Sequence, residues 1–411
     1  MGIEGLSAVL KKYGVTARPC SLKSFRGKSV AIDAAATLMT HLATSHAAVV
    51  ETLSLSSLVR GEQAHGMART EIANACIERT LRLIHAFLFN GVCPVWVLDA
   101  AEPSPDMVDA KARTREKREK DRRRVSDELD ALRAELKDFA EREGWNALDQ
   151  LLDVHVSVDA FIARCAQPVS GGDLLDLPSQ GQPMVVKARR FKNLCGRSFG
   201  RFSAHENRVL TDLLGALGVT VLESPDEGER LACVLARRGL VDAVLSHDSD
   251  TVAHGASLSI RAINVPPGAT SFLGGAQCEV LHLDDVRANV PNCADQARLV
   301  DLCILLGTDF NVHPPGVGPV KAVALHQAGG PGVLSAAVQA ELRADWCRAY
   351  FLEDPADLEL TRADLWPTPD FLKDDALWAS QGSWSWVRTQ VGPDLAKCCG
   401  VLKTEAVKNA T

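Results

Sequence analysis

Four short apolar runs set the fold class of this chain: KSVAID (28–33), PVWVLD (94–99), GVTVLE (218–223) and DAVLSHD (242–248). Each is rich in β-branched residues and too short for a helix, so each reads as a buried strand. Helical patterns separate them, as in IANACIERTLRLIHAFLFNG (72–91), AHENRVLTDLLGALG (204–218) and GERLACVLARRG (228–239). Strands alternating with helices imply an α/β fold with a mainly parallel sheet flanked by helices. Ligands of such sheets bind beyond the carboxyl ends of the strands.

That edge is where the acids fall. Three of the runs finish on an aspartate, giving Asp33, Asp99 and Asp248, and Asp250 follows with one residue between it and Asp248. The remaining run leads through a Ser-Pro turn to Glu227 and Glu229 at the start of the next helix. Taken singly, each acid looks like a polar strand end or a helix N-cap. Together they would repel one another unless a cation neutralised them. Hard carboxylate ligands suit Mg²⁺, or Mn²⁺ in its place, because such ions keep several waters and hold phosphate oxygens.

A seventh acid, Asp309, stands just after an apolar helical pattern that ends near Gly307, ahead of the turn PPGVGPVKA (314–322). Gly316 and Gly318 would let another backbone approach closely, and the amides of a helix beginning near Pro319 would favour an anion, with Lys321 beside them. Alone, this is a structural turn; beside Asp309 it points to gripping a nucleic-acid backbone. Between Asp99 and Glu227 lies KARTREKREKDRRR (111–124), with nine basic and three acidic residues, and then SDELDALRAELKDFAERE (126–143), acidic at helical spacing. The first stretch reads as a solvated helix face or as a phosphate-capturing surface carrying Lys111, Arg113, Arg115 and Lys117. QPVSGGDLLDLPSQGQP (167–183) has linker composition, and a second basic stretch, KARRFKNLCGRSFGR, occupies 187–201.

The bulk properties limit the alternatives. A chain of 411 residues with 46% hydrophobic content can bury one large core or two ordinary ones. The net charge of −7 excludes a uniformly basic nucleic-acid-binding surface, leaving local patches. Twelve cysteines without a C-x-x-C pair fit reduced thiols in an intracellular compartment. No apolar segment approaches the ~20 residues of a membrane span, so no membrane role is expected. The opening MGIEGLS has neither the layout of a signal peptide nor, with Leu6, the hydroxyl residue of a myristoylation site, so Met1 onward is read as mature protein.

The residues that carry a family resemblance are MGIEGL at the start, FRGKSVAIDA, NGVCPVWVLD, SPDEGERLA, LSHDSDTVAHG and LVDLCILLGTDFNVHPPGVGPVKA, in that order, with weaker likeness in AYFLEDPADLEL and LWPTPDFLKDD. Together they resemble the flap endonuclease / XPG-type family of structure-specific 5′ nucleases over most of 1–375. The resemblance implies a PIN-like (5′-nuclease) fold with a helical arch and a helix–two-turn–helix DNA-binding motif. It also implies a hydrolase that cuts a phosphodiester near a duplex/single-strand junction of 5′-flap, branched or nicked DNA, in replication or repair, using two Mg²⁺ ions. Carried over, Asp33, Asp99, Glu227 and Glu229 would hold or orient one ion, and Asp248, Asp250 and Asp309 would serve the other. Gly2 would lie near the substrate. The implied regions are 1–105 (N-terminal nuclease), 106–203 (charged arch or gateway and linker insert), 204–298 (internal nuclease), 299–345 (helix–two-turn–helix) and 346–411 (C-terminal segment). Residues 106–150 would form the arch, with Arg113 at the matching basic position. The implied location is intracellular, at the nucleus or another site of DNA replication.

Three departures stand out. Met39 replaces the aromatic on which relatives stack a base, Asp106 reverses the charge of the gateway lysine so that Lys111 or Arg113 must substitute, and the monovalent-cation turn reads NVHPPG. No sliding-clamp box is recognised in the C-terminal tail. Two other readings remain open: an RNA endonuclease of the same fold, resembling viral host-shutoff nucleases, and a non-catalytic scaffold for branched DNA. The intact glycine turn favours DNA, and retention of every acid favours an enzyme.

Overall fold

The computed structural model describes residues 2–61, 64–102, 104–153, 183–197, 202–216, 219–264, 276–355 and 358–365. The linker expected at 167–183 lies, apart from Pro183, outside the described residues, as do 198–201 of the second basic stretch and 366–411 of the C-terminal segment. Among the described residues, the chain forms two compact units, one drawn from 2–39, 78–115 and 204–365 and the other from 40–77 and 116–203.

The first unit is built on one seven-stranded sheet. Its strands are β1 (Arg18–Ser21), β2 (Ser29–Asp33), β3 (Cys93–Leu98), β4 (Thr220–Glu223), β5 (Ala243–Leu245), β6 (Leu258–Asn264) and β7 (Gln277–His282). Their spatial order is β1-β7-β6-β5-β2-β3-β4. The pairings β6-β5, β5-β2, β2-β3 and β3-β4 are parallel, whereas β7 runs antiparallel to both β6 and β1. The mainly parallel α/β expectation therefore holds, with an antiparallel margin that the four apolar runs did not announce. All five residues of β2 are buried, as a strand covered by helices on both faces requires.

This order contains a topological switch. From β2 the chain builds outward to β3 and β4, then returns to the other side of β2 to lay down β5 and β6. Connections leaving β2 and β5 diverge, and a crevice opens beyond their carboxyl ends. Asp33 is the last residue of β2, and Ser246 follows β5 directly.

The expected helix pair is present as Gln296–Leu306 and Pro319–Ala328. Asp295 caps the first, its side chain accepting the Arg298 amide at 2.8 Å, and proline opens the second, where its missing N–H costs nothing. Both helices pack in an apolar cluster with Leu6, Val9, Phe310 and Phe351. Gly5, at φ +72°, lies so close that a Cβ there would stand 2.7 Å from Pro319 Cγ, which binds the opening MGIEGL motif to this helix pair.

The second unit has its own core, in which Leu129, Leu132 and Leu136 of the helix Ala112–Glu143 meet Leu55, Leu58, Leu148 and Phe191. Much of the second basic stretch is used here. Lys187 pairs with Glu135, Arg190 with Glu128, and Lys192 with Glu51 at 3.3 Å. Along the helix Ala112–Glu143, Arg115 and Lys117 are exposed. Among the described residues no helix is long and apolar enough to cross a membrane.

Candidate metal centre

Beyond the carboxyl ends of β2 and β5, one ligand oxygen from each of Glu229, Asp248 and Asp250 lies within 4.8 Å of the others. Local structure explains how they get there. Glu229 sits in the first turn of the helix Gly228–Arg237, while Asp248 lies in the loop after β5 and Asp250 starts the short helix Asp250–Ala253. Asp33 joins through a shared hydroxyl: Ser246 Oγ is 3.0 Å from Asp33 Oδ2 and 3.0 Å from Glu229 Oε1, and it accepts the Asp248 amide at 3.1 Å. A hydroxyl has one proton to give, so the second carboxylate contact is a hydrogen bond only when that carboxyl is itself protonated.

The other predicted acids border this group. Asp99 Oδ1 accepts the Gly228 amide at 2.8 Å, and its charge acts on Asp33. Asp309 adds its charge to Asp250, and its carbonyl accepts the Thr114 hydroxyl at 3.0 Å. Glu227 is held by Lys111 and by the Tyr350 hydroxyl at 3.1 Å, with the Lys111 ammonium 5.2 Å from the centre of the Phe310 ring. Gly2, at φ +105°, packs so tightly on Asp248 that any Cβ would collide with Oδ1, and the Ile3 amide donates to Ser249 Oγ at 2.8 Å. An open cavity of about 470 Å³ beside Asp309 is lined by Thr114, Phe310, Asn311 and Arg343, among others.

Sequence reasoning missed Ser246 and Tyr350. Ser246 had a signal, being the first residue after β5 on the acidic edge, whereas Tyr350, 123 positions from Glu227, stands in the weakly matching stretch AYFLEDPADLEL, whose resemblance says nothing of the acids. Asp106 and Met39 are both exposed, Met39 at 39%. The side chain of Arg113 lies outside the described residues. Gly316 takes φ +70°, whereas Gly318, at φ −75°, has open space where a Cβ would stand.

The electrostatics of the group are those of buried carboxylates crowded by one another. Burial pushes Asp33 up to about 7, with Asp99 and Asp248 adding like charge against the Ala36 amide and the Ser246 hydroxyl. Burial, then Asp33, Asp248 and Asp250, holds Glu229 well above the usual range. Asp250 is raised by burial and then by Asp248 and Asp309, with Lys111 opposing. Asp248 Oδ1 and Asp250 Oδ1 are buried and, among the described residues, have no hydrogen-bond donor. Buried carboxylate oxygens without donors are costly unless a cation meets them, so this donor set fits a hard divalent ion.

The sign of the pH dependence follows. Asp33 has a folded value of about 7 against 3.8 for the free group, so the metal-free fold binds more protons than the unfolded chain in that window. Its contribution to stability is complete below the lower value and is lost as pH rises through the upper one. In EDTA, Tm should fall from about pH 4 to about pH 7, and Mg²⁺ should restore it at the higher pH. Thermal melts with and without EDTA check this, and a Tm that climbs across that window in EDTA would refute it.

The carboxylate cluster thus stands at the switch point of an α/β sheet, where ligands of such folds bind. Residues 1–125 match the model for the XPG N-terminal domain, and 218–309 match the XPG I-region. The chain belongs to the XPG family of flap endonuclease-type nucleases. Similar proteins include three that are named flap endonuclease 1. That of Leishmania braziliensis is 26% identical over 330 residues, covering 78% of this chain and 63% of its own. That of Haloquadratum walsbyi is 35% identical over 151 residues, covering 36% and 43%. That of Caldivirga maquilingensis is 36% identical over 124 residues, covering 29% and 35%. The matches thus span between about a third and two thirds of these relatives' lengths. Among solved structures, flap endonuclease-1 from Methanococcus jannaschii aligns at TM-score 0.47 and 17% identity over 97% of this chain and 98% of that chain. The catalytic core of Rad2 in complex with DNA substrate aligns at TM-score 0.49 and 14% identity over 95% and 96%.

Proposed function

We propose that this protein is a Mg²⁺-dependent 5′ nuclease that cuts DNA at the junction of duplex and 5′ single strand, in replication or repair. The observation that carries the reading is the gathering of Glu229, Asp248 and Asp250, with ligand oxygens within 4.8 Å of one another and, among the described residues, no donor to the buried Oδ1 atoms of the two aspartates. In this reading, Asp33, Asp99, Glu227 and Glu229 hold or orient one ion, and Asp248, Asp250 and Asp309 serve a second. When bound, the ions supply Lewis acidity toward the attacking water and the leaving oxygen. Ser246 fixes the rotamers of Asp33 and Glu229. Lys111, paired with Glu227 beside the Phe310 face, or Arg113 takes the place of the lysine lost at Asp106. Arg115 and Lys117 contribute phosphate contacts, as Arg113 does on its position in the sequence. The workplace is intracellular, where DNA is replicated.

The test is cleavage of end-labelled 5′-flap DNA, linear duplex DNA and single-stranded RNA, each with Mg²⁺ and with EDTA. Incision of the flap near its junction, absent with EDTA, is expected. Cleavage confined to RNA would move the protein to the RNA-nuclease reading, and binding of flap DNA without any cleavage would make it a scaffold.

Gly316 and Gly318 separate fold from function. Gly316 needs glycine for its positive φ, but nothing in the backbone or packing at Gly318 does. In the proposed function, a sugar-phosphate backbone approaches this turn and the amides that open Pro319–Ala328, with Lys321 adding charge. Gly318→Ala should leave Tm unchanged and weaken duplex binding by roughly tenfold, about the worth of one charge-assisted contact. Unchanged binding would take this turn out of the substrate interface.

A further inference from the structure

The loop that carries Asp248 and Asp250 is gripped from below by Arg261, which lies outside every motif in the sequence. Ile260 pairs with Val280 and Ala262 with Glu279 across β6 and β7, so Arg261 is the extra residue of a β-bulge. A bulge breaks strand alternation and re-aims one side chain. On the other side of β6, Leu245 is in register with Ile260, so Arg261 emerges opposite the residue that opens the acidic loop. Its Nη2 donates to the His247 carbonyl at 2.7 Å, and its Nη1 donates to the Asp248 carbonyl and to Thr251 Oγ1, the latter at 3.2 Å. The grip is mutual, because His247 Nδ1 is 2.8 Å from the carbonyl of Arg261. Among the described residues no carboxylate is ion-paired with this guanidinium. It is spent on two main-chain oxygens and the Thr251 hydroxyl, yet the charges of Glu229, Asp248 and Asp250 act on it.

We propose that Arg261 is a positioning residue: its rigid fork, delivered by the bulge, orients the 247–251 loop so that Asp248 and Asp250 face Glu229 before a cation arrives. Two carbonyls from consecutive residues, held by one planar group, fix the peptide between them and therefore the direction of the Asp248 side chain. An ammonium is a point donor and cannot reproduce the fork. The proposal rests on reading the acidic cluster as a cation site.

The test compares wild type with Arg261→Met, Arg261→Lys and Thr251→Val in two measurements on the full chain. Hydrogen exchange of the peptide spanning 246–252 is followed in EDTA, and Mn²⁺ binding is titrated by the loss of the free-ion electron paramagnetic resonance signal. Arg261→Met should exchange faster in this peptide and need about tenfold or more Mn²⁺ for half-saturation, as loss of an outer-shell support does. Arg261→Lys should fall between Met and wild type in both. If Arg261→Met does not fold, Thr251→Val, which removes only the hydroxyl contact, should shift both readouts in the same direction by a smaller factor. Unchanged exchange, or faster exchange with unchanged Mn²⁺ affinity, overturns the proposal. A wild type that binds no Mn²⁺ overturns the nuclease reading instead, and the exchange comparison still decides whether Arg261 holds the loop.

Discussion

Asp250→Asn should abolish cleavage while giving a protein that melts at a higher temperature than wild type in EDTA at neutral pH. Asp250 is 5% exposed, and burial together with Asp248 and Asp309 already disfavours its charge. An amide has nearly the same shape and no charge, so in the metal-free protein the substitution relieves repulsion. The same change removes a ligand oxygen from the tightest part of the cluster and misplaces the cation. Loss of turnover on the order of 10³-fold or more is expected, about 4 kcal/mol of barrier. Mg²⁺ should raise the Tm of the variant less than that of wild type. Single-turnover cleavage of a flap substrate and paired thermal melts measure both halves. Near-normal turnover at saturating Mg²⁺ would remove Asp250 from the chemistry.

Gly228→Ala should damage both stability and activity. A Cβ on Gly228 would stand 2.9 Å from the Val97 carbonyl oxygen, 3.1 Å from Leu98 C and 3.2 Å from Asp99 Oδ1. Two of those atoms are backbone of β3 or its end, so no side-chain rotation relieves the clash. The helix Gly228–Arg237 must retreat, which stretches the Gly228 amide bond to Asp99 and shifts Glu227 and Glu229 together. Overpacking of this kind costs about 1–3 kcal/mol, and misplacing catalytic groups by ~1 Å costs on the order of 10²-fold in rate. Urea unfolding and single-turnover rates should show both losses. A variant that is as stable and as fast as wild type would mean that helix and strand are not in the contact described.

Three of the four strands legible in the sequence are those whose burial writes itself as an unbroken apolar run; the fourth, β4, read as buried, is a half-buried edge strand. β2, β3 and β5 are covered on both faces, so SVAID, CPVWVL and AVL stand out from their surroundings. β7 is exposed at every other position over its first half, and β1 is a four-residue edge strand containing a proline, so neither makes such a run. β6 was hidden for a related reason, since its bulge at Arg261 interrupts the period of two. The acids were legible because strand ends and helix starts mark the ligand edge of a parallel sheet, and the seven stand on or beside one cluster. What supports them was not, because Ser246, Tyr350 and Arg261 act through contacts made across the fold. The partners of the second basic stretch were equally hidden, because Lys187, Arg190 and Lys192 meet Glu135, Glu128 and Glu51 only in the fold.

The central claim is that these carboxylates form a divalent-cation centre. Crystals soaked in Mn²⁺, with an anomalous difference map collected at the manganese absorption edge, test it most directly. The account predicts a peak bounded by Glu229, Asp248 and Asp250, with a second within reach of Asp33 and Asp99 once a DNA junction is bound, and the first weakened or displaced in Asp250→Asn. Anomalous peaks elsewhere in the protein with none among these acids would contradict it.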